Sequence, residues 1–148
     1  MKKTAISILI SLILIFSLLP LSAFADNGDP GDAIMPRSGV YPDRYEIDID
    51  GITYSVYKES DNFELEFGTE NDYVPIAQRA LLNVKAHYGL NFASWSPITR
   101  YFGTYSVNAT TAFQQWWNDH LEYFYGSAIY VDGKVGDQTW RRFVTVCW

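Results

Sequence analysis

Val131-Asp132-Gly133-Lys134-Val135-Gly136-Asp137-Gln138-Thr139-Trp140-Arg141-Arg142-Phe143 is the stretch that decides how this chain folds. It reads as a tight turn feeding a short amphipathic helix. Gly133 supplies a backbone angle that residues with a side chain resist. Gly136 can begin the helix, and Thr139 can hydrogen-bond back to exposed backbone groups of the first turn. Trp140, Phe143 and Val144 then share one face at helical spacing. The helix is expected from about Asp137 to Val146.

A weaker copy lies 33 positions earlier, with Gly103 standing for Gly136. Phe102-Gly103-Thr104-Tyr105-Ser106 aligns with Val135-Gly136-Asp137-Gln138-Thr139. Ala109, Thr110 and Phe113-Gln114 continue a helical stripe behind it. An earlier helix reads Ala77-Gln78-Arg79-Ala80-Leu81-Leu82. In this order the three blocks resemble the peptidoglycan-binding domain family, small three-helix modules of secreted cell-wall proteins. The resemblance covers about residues 73–146. The last block is fairly specific; the first two are degenerate alone and gain weight from their order. It implies a non-catalytic module that holds cell-wall material. Two departures border the implied ligand surface. Thr99-Arg100 stands where the family carries Asp-Gly, and the distance from Gln114 to Asp132 is about twice the usual one. The extra residues, Trp117 to Gly126, are expected to lengthen the second helix by about two turns.

The start of the chain reads as a secretory signal over residues 1–25. Lys2 and Lys3 precede an apolar run from Ala5 to Leu19, and Ala23-Phe24-Ala25 fits a small-x-small cleavage site. That run is short for a membrane span, which takes about 20 residues. Secretion followed by cleavage is therefore expected, with an uncleaved anchor as the alternative and no membrane association after cleavage. Residues 26–44, rich in Gly, Pro and Asp, read as a flexible leader.

Residues 45–70 alternate like a β-meander. Tyr45, Ile47 and Ile49 face one way, and Asp50-Gly51 is a strong two-residue hairpin signal. Ile52, Tyr54 and Val56 give the second strand, and Phe63, Leu65 and Phe67 the third. The helical domain is expected over 71–148. Its first helix starts near Asn71 or Asp72, tolerates Pro75 in the first turn and stops at Gly89. Its stripe is Ile76, Ala80, Leu81, Val84 and Tyr88. The second helix follows Gly103, with Thr110, Phe113, Trp117, Leu121 and Phe124 inward and a stop at Gly126. The fold class is thus α+β: a three-stranded antiparallel meander, then a small three-helix bundle.

Charge is uneven. Residues 26–72 hold 13 acidic and 3 basic residues, whereas 73–148 hold 4 acidic and 6 basic. No basic stripe exists to replace phosphate counterions, which argues against nucleic acid. A weakly basic helical half is compatible with an anionic cell wall, although the acidic segment opposes that attraction.

Rings that fall off the buried stripes are the candidate ligand contacts. Aromatic faces stack on the apolar faces of sugars, while amides and carboxylates fix hydroxyl and N-acetyl groups. Tyr101, Trp116, Tyr123 and Tyr125 are the candidates, and packing over the sheet is the competing reading for them. Arg100 could pair with a carboxylate of a glycan or stem peptide. Asp132 is a candidate contact, although bracing its own turn is its simpler use. Phe113, Trp117 and Trp140 belong to the core by their spacing.

Other chemistry finds little support. Asn118-Asp119-His120-Leu121-Glu122 reads as a solvated helix face, since a catalytic metal needs about three protein ligands. Asp48-x-Asp50-Gly51 lacks the later ligands of a calcium loop and reads as a hairpin. Cys147 is the only cysteine, so no internal disulfide forms; its apolar neighbours suggest burial, and a mixed disulfide with another chain stays open. Asn108-Ala109-Thr110 matches a glycosylation acceptor but falls inside the second helix. No metal and no cofactor is expected, and no catalytic pair is recognisable. The expected partner is peptidoglycan, through its glycan or stem peptide. The alternative is a module that keeps the fold but binds another secreted protein through its aromatic insertion.

Overall fold

The computed structural model describes residues 38–125 and 127–148. The expected signal segment, the leader up to Arg37 and the stop at Gly126 lie outside the described residues. Three strands come first: β1 (Gly39–Val40), β2 (Arg44–Ile49) and β3 (Ile52–Tyr57). The helices α1 (Val74–Tyr88), α2 (Thr104–His120), the single turn α3 (Glu122–Tyr125) and α4 (Asp137–Val146) follow. A three-stranded antiparallel sheet therefore precedes a three-helix region, as the α+β reading requires.

The strands are not all the expected ones. The sheet order is β1-β2-β3, with Gly39 opposite Glu46 and Ile49 opposite Ile52. Its third member comes from the end of the segment read as a flexible leader (26–44). Pro42 and Asp43 sit in a tight turn closed by the Tyr41 N–H on the Arg44 carbonyl at 2.9 Å. The turn chemistry that suggested a linker instead folds the chain back onto β2. Phe63, Leu65 and Phe67 form no strand of this sheet. The Leu65 amide and carbonyl pair with Val135 at 3.1 and 2.9 Å, and Gly68 bends the chain at φ +93°. The Leu65 backbone groups are thus taken by the loop before α4, and the Phe63 N–H stays within its own turn on the Ser60 carbonyl, so this stretch adds no ladder to β3.

The hairpin tip is as expected. Asp50 and Gly51 have φ values of +54° and +80°, the pair of positive angles a type I′ turn demands. Asp48 Oδ1 accepts the Gly51 N–H at 2.9 Å, and Asp50 Oδ1 accepts from Asn83 Nδ2 at 3.1 Å, so both carboxylates brace the hairpin.

In α1, Asn71 Oδ1 accepts the N–H groups of Tyr73 and Val74, and Pro75 occupies the first turn, where its missing N–H costs nothing. Gly89 closes the helix in the left-handed region at φ +71°, its N–H on the Lys85 carbonyl. Gly103 and Gly136 open α2 and α4 from nearly the same extended conformation, at φ −92°, ψ −171° and φ −109°, ψ −164°.

The helix extension is shorter than expected. α2 ends at His120, and the chain restarts in α3 instead of running unbroken to Phe124, whose side chain lies outside the described residues. Asn118 supplies the reason. Its Nδ2 donates to the Ile129 carbonyl and its Oδ1 accepts the Ile129 N–H, both at 2.9 Å, which binds the returning chain to the last turn of α2.

One core joins the sheet to the helices. Tyr45, Ile47 and Ile49 of β2 meet Val84, Phe113, Trp117, Trp140 and Phe143, all buried. Phe113 and Phe143 lie 4.8 Å apart between ring centres. Val144 is only half-buried, and Ile52 at the hairpin tip is exposed. The Tyr45 hydroxyl donates to Asp137 at 2.5 Å, tying the first residues of α4 to β2.

Candidate ligand-binding site

α2 begins at a loop organised by one buried amide. Gln78, on the inner face of α1, accepts the Thr99 N–H at 2.9 Å. Its Nε2 donates to the Tyr101 carbonyl at 3.0 Å and to Ser106 Oγ at 3.1 Å. The far side of the loop pairs with Gly68 and Thr69 through the Phe102 carbonyl and N–H. The departure from Asp-Gly at Thr99-Arg100 is thus accommodated: Gln78 and the Thr99 hydroxyl hold a turn that needs no positive φ. A Cβ on Gly103 would come within 3.0 Å of the Tyr101 ring, so glycine lets that ring lie against the backbone.

A concavity of about 240 Å³ opens here, lined by Gln78, Trp95, Pro97, Thr99, Tyr101 and Tyr105 among others, none of them charged. Tyr101 is 46% exposed and Tyr105 61%. Phe67, also exposed, meets Tyr101 edge-on at 6.3 Å. Trp95 leans on Phe92 at 6.0 Å, and its indole N–H is buried with no partner among the described residues.

The same device recurs at α4. Gln114 accepts the N–H groups of Asp132 and Gly133 and donates to Asp132 Oδ1, the Lys134 carbonyl and Thr139 Oγ1, at 2.9–3.2 Å. A second concavity, also about 240 Å³, is lined by Gln114, Asp132, Lys134, Gly136, Gln138 and Thr139, with Glu64, Tyr130 and Asp137. Asp132, Lys134, Gly136, Gln138 and Thr139 correspond position by position to Thr99, Tyr101, Gly103, Tyr105 and Ser106, and Gln114 plays the part of Gln78. The second lining carries charge. Lys134 is ion-paired with Glu66, and its pKa is raised, chiefly by that hydrogen bond.

The six sequence-derived contacts are not gathered into one site. Tyr101 lines the first concavity; Arg100 beside it pairs with Asp72 at 2.9 Å and does not line it. Asp132 accepts the Lys134 N–H at 2.9 Å, so it braces its own turn while lining the second concavity. Trp116 lies about 18 Å along α2 from Thr104. It is half-buried, 4.7 Å from Tyr88, 6.1 Å from Phe113 and 5.9 Å from His120. Tyr125 packs beside Trp117 at 5.8 Å and stays 57% exposed, and Tyr123 is 92% exposed on α3.

Sequence reasoning missed Gln78, Trp95 and Tyr105. Gln78 had a readable signal: a polar residue inside an apolar helical stripe, in a block aligned by order with the one holding Gln114. Tyr105 stood in the aligned repeat opposite Gln138. Trp95 sits in an irregular connection, where no periodicity indicates which way a ring points.

Cys147 is buried, with its thiol toward the Ala80 carbonyl. Burial pushes its pKa well up, so the thiolate needed for nucleophilic or exchange chemistry is suppressed. Thr110, in the acceptor-like triplet, is fully buried and bonds the Ser106 carbonyl. Among the described residues no group of three or more His, Cys, Asp and Glu side chains is placed to hold a metal, and no helix is long and apolar enough to cross a membrane. Comparison with family models, with curated proteins and with solved structures gives no match.

Proposed function

We propose that this chain is a secreted, non-catalytic protein that binds peptidoglycan. The single observation that carries the reading is the uncharged concavity at the start of α2, with Trp95, Tyr101 and Tyr105 around amide and hydroxyl groups. Rings of this kind offer flat apolar faces to sugars, and neighbouring hydroxyls can bond theirs. The rigid Gln78 network keeps the loop in place before ligand arrives, which lowers the ordering cost of binding. Co-sedimentation of the purified protein with insoluble peptidoglycan tests the reading. Protein pelleting with the polymer at low and moderate salt supports it; protein left wholly in the supernatant refutes it.

A second reading is favoured by a different observation. Tyr123 and Tyr125 on α3, and Trp148 at 55% exposure, place large rings in solvent away from the first concavity. Exposed aromatic groups of this size suit a protein partner. Crosslinking in culture supernatant that captures one stoichiometric protein, lost in Tyr123→Ala, would favour this reading over the first.

A further inference from the structure

We propose that the α2 concavity takes the glycan and not the stem peptide, and that Tyr101 and Tyr105 determine this specificity. The assignment rests on the cell-wall reading above. Its basis is the internal repeat, which offers one backbone device with two linings. Gln78 and Gln114 hold their loops through matching acceptors and donors, so the surfaces differ mainly in side chains. Where the first copy has Tyr101 and Tyr105, the second has Lys134 and Gln138.

That difference selects a ligand class. The first lining holds no charge, so an ionised carboxylate or ammonium of a peptide would lose water there without gaining a counter-charge. The nearest cation, Arg100, is engaged by Asp72. A neutral pyranose loses little on entering and gains two exposed tyrosine rings, their hydroxyls and the Trp95 edge. In the second copy, Lys134 is drawn to Glu66, Asp137 receives the Tyr45 hydroxyl, and Gln138 Oε1 accepts the Tyr130 N–H. Those groups make bonds within the fold, and neither of the two repeat positions presents a ring, although Tyr130 in the same lining does.

The test titrates the full chain with a β-1,4-linked N-acetylglucosamine tetramer and, separately, with a free stem peptide. The Trp95 indole and the amides of Tyr101 and Tyr105 are followed by NMR. The tetramer should shift those signals; the peptide should leave them unmoved. Tyr101→Lys with Tyr105→Gln gives the first copy the second copy's residues. Both rings are substantially exposed and the Gln78 contact uses only the Tyr101 backbone carbonyl, so the thermal midpoint should hold while the tetramer binds about tenfold or more weakly. Tyr105→Ala, at an exposed ring whose side chain takes no part in the Gln78 bonds, should weaken binding in the same direction. Unchanged affinity in both variants overturns the proposal, as does binding of the peptide in place of the tetramer. A wild-type protein that pellets with peptidoglycan but ignores the tetramer overturns this assignment and spares the cell-wall reading. One that does not pellet removes both.

Discussion

Gln78 and Gln114 perform the same task 36 residues apart: each sends its amide from the inner face of a helix into the loop that launches the next one. Each Nε2 meets a loop carbonyl, Tyr101 or Lys134, and a hydroxyl in the first turn beyond, Ser106 or Thr139. Each Oε1 accepts loop N–H groups. Both glutamines are at most 1% exposed, and their bonds to Ser106, Thr139 and the Gly133 N–H are buried.

Gln114→Ala should destabilise the protein by roughly 2–4 kcal/mol, because several buried donors and acceptors lose their partner together. Gln78→Ala, with fewer bonds, should cost less. Urea denaturation measures both; a loss for Gln114→Ala below about 1 kcal/mol would show that water replaces the amide.

Gly133 and Gly51 separate backbone strain from crowding. Both have positive φ, +73° and +80°. A Cβ on Gly133 would sit 2.9 Å from Thr111 Oγ1 and Val107 Cγ1, whereas Gly51 has nothing within 4 Å. Gly51→Ala should cost about 1 kcal/mol from strain alone. Gly133→Ala should cost clearly more, about 2–3 kcal/mol, because contact is added to strain. Equal costs in thermal denaturation would contradict the packing around Gly133.

Trp116→Ala should act on stability. The ring packs against Tyr88, Phe113 and His120, so its removal should cost about 1–3 kcal/mol, while Tyr123→Ala should stay within about 0.5 kcal/mol. A Trp116→Ala protein of wild-type stability with weakened peptidoglycan binding would make the ring a ligand contact after all.

Alkali should destabilise the fold. Burial, then the hydrogen bond to Asp137, raises the Tyr45 phenol to about 12 from its ordinary 10.0, and burial with the Asp50 charge raises the Cys147 thiol above its ordinary 9.0. Both groups are neutral when protonated. The unfolded chain releases these protons first, so above about pH 9 it binds fewer protons than the native state and stability falls as pH rises. The slope begins about one pH unit below the ordinary thiol pKa and is negligible at neutral pH. Urea midpoints from pH 7 to 11 check this, and Cys147→Ala should remove the earlier part of the fall. In the native state Cys147 should resist thiol reagents until the protein unfolds.

Some of the architecture was legible because local patterns coincide with what the fold requires. Asp50-Gly51 needs two positive φ angles that few other pairs tolerate, and the structure has them. Gly89, Gly103 and Gly136 mark helix ends because glycine meets demands set within a few residues of itself. Phe113, Trp117 and Trp140 stand at a spacing that puts them on one face, and that face is buried. The third strand was not legible. Phe63, Leu65 and Phe67 alternate like a strand, but Leu65 pairs with Val135 and Phe67 points to solvent. Alternation reports which side a residue faces and not which chain segment accepts its hydrogen bonds.

The candidate site divides the same way. Tyr101 was visible as a ring off the buried stripe beside a glycine that starts a helix. Trp116, Tyr123 and Tyr125 were also chosen as rings off the stripes and Arg100 for its charge, but α2 carries Trp116 far from the loop and an ion pair occupies Arg100. The chain alone determined the repeat of turn and helix, the hairpin tip, the helix ends marked by Gly89, Gly103 and Gly136 and the inward Phe113, Trp117 and Trp140, since each depends on neighbours within a turn or two. Only tertiary structure decided that the leader's end joins the sheet, that Gln78 and Gln114 hold two equivalent loops, and that Trp95 meets Tyr101 and Tyr105 around one concavity. Those outcomes depend on contacts between distant segments, and no local preference encodes which of several apolar or polar partners such a segment will meet.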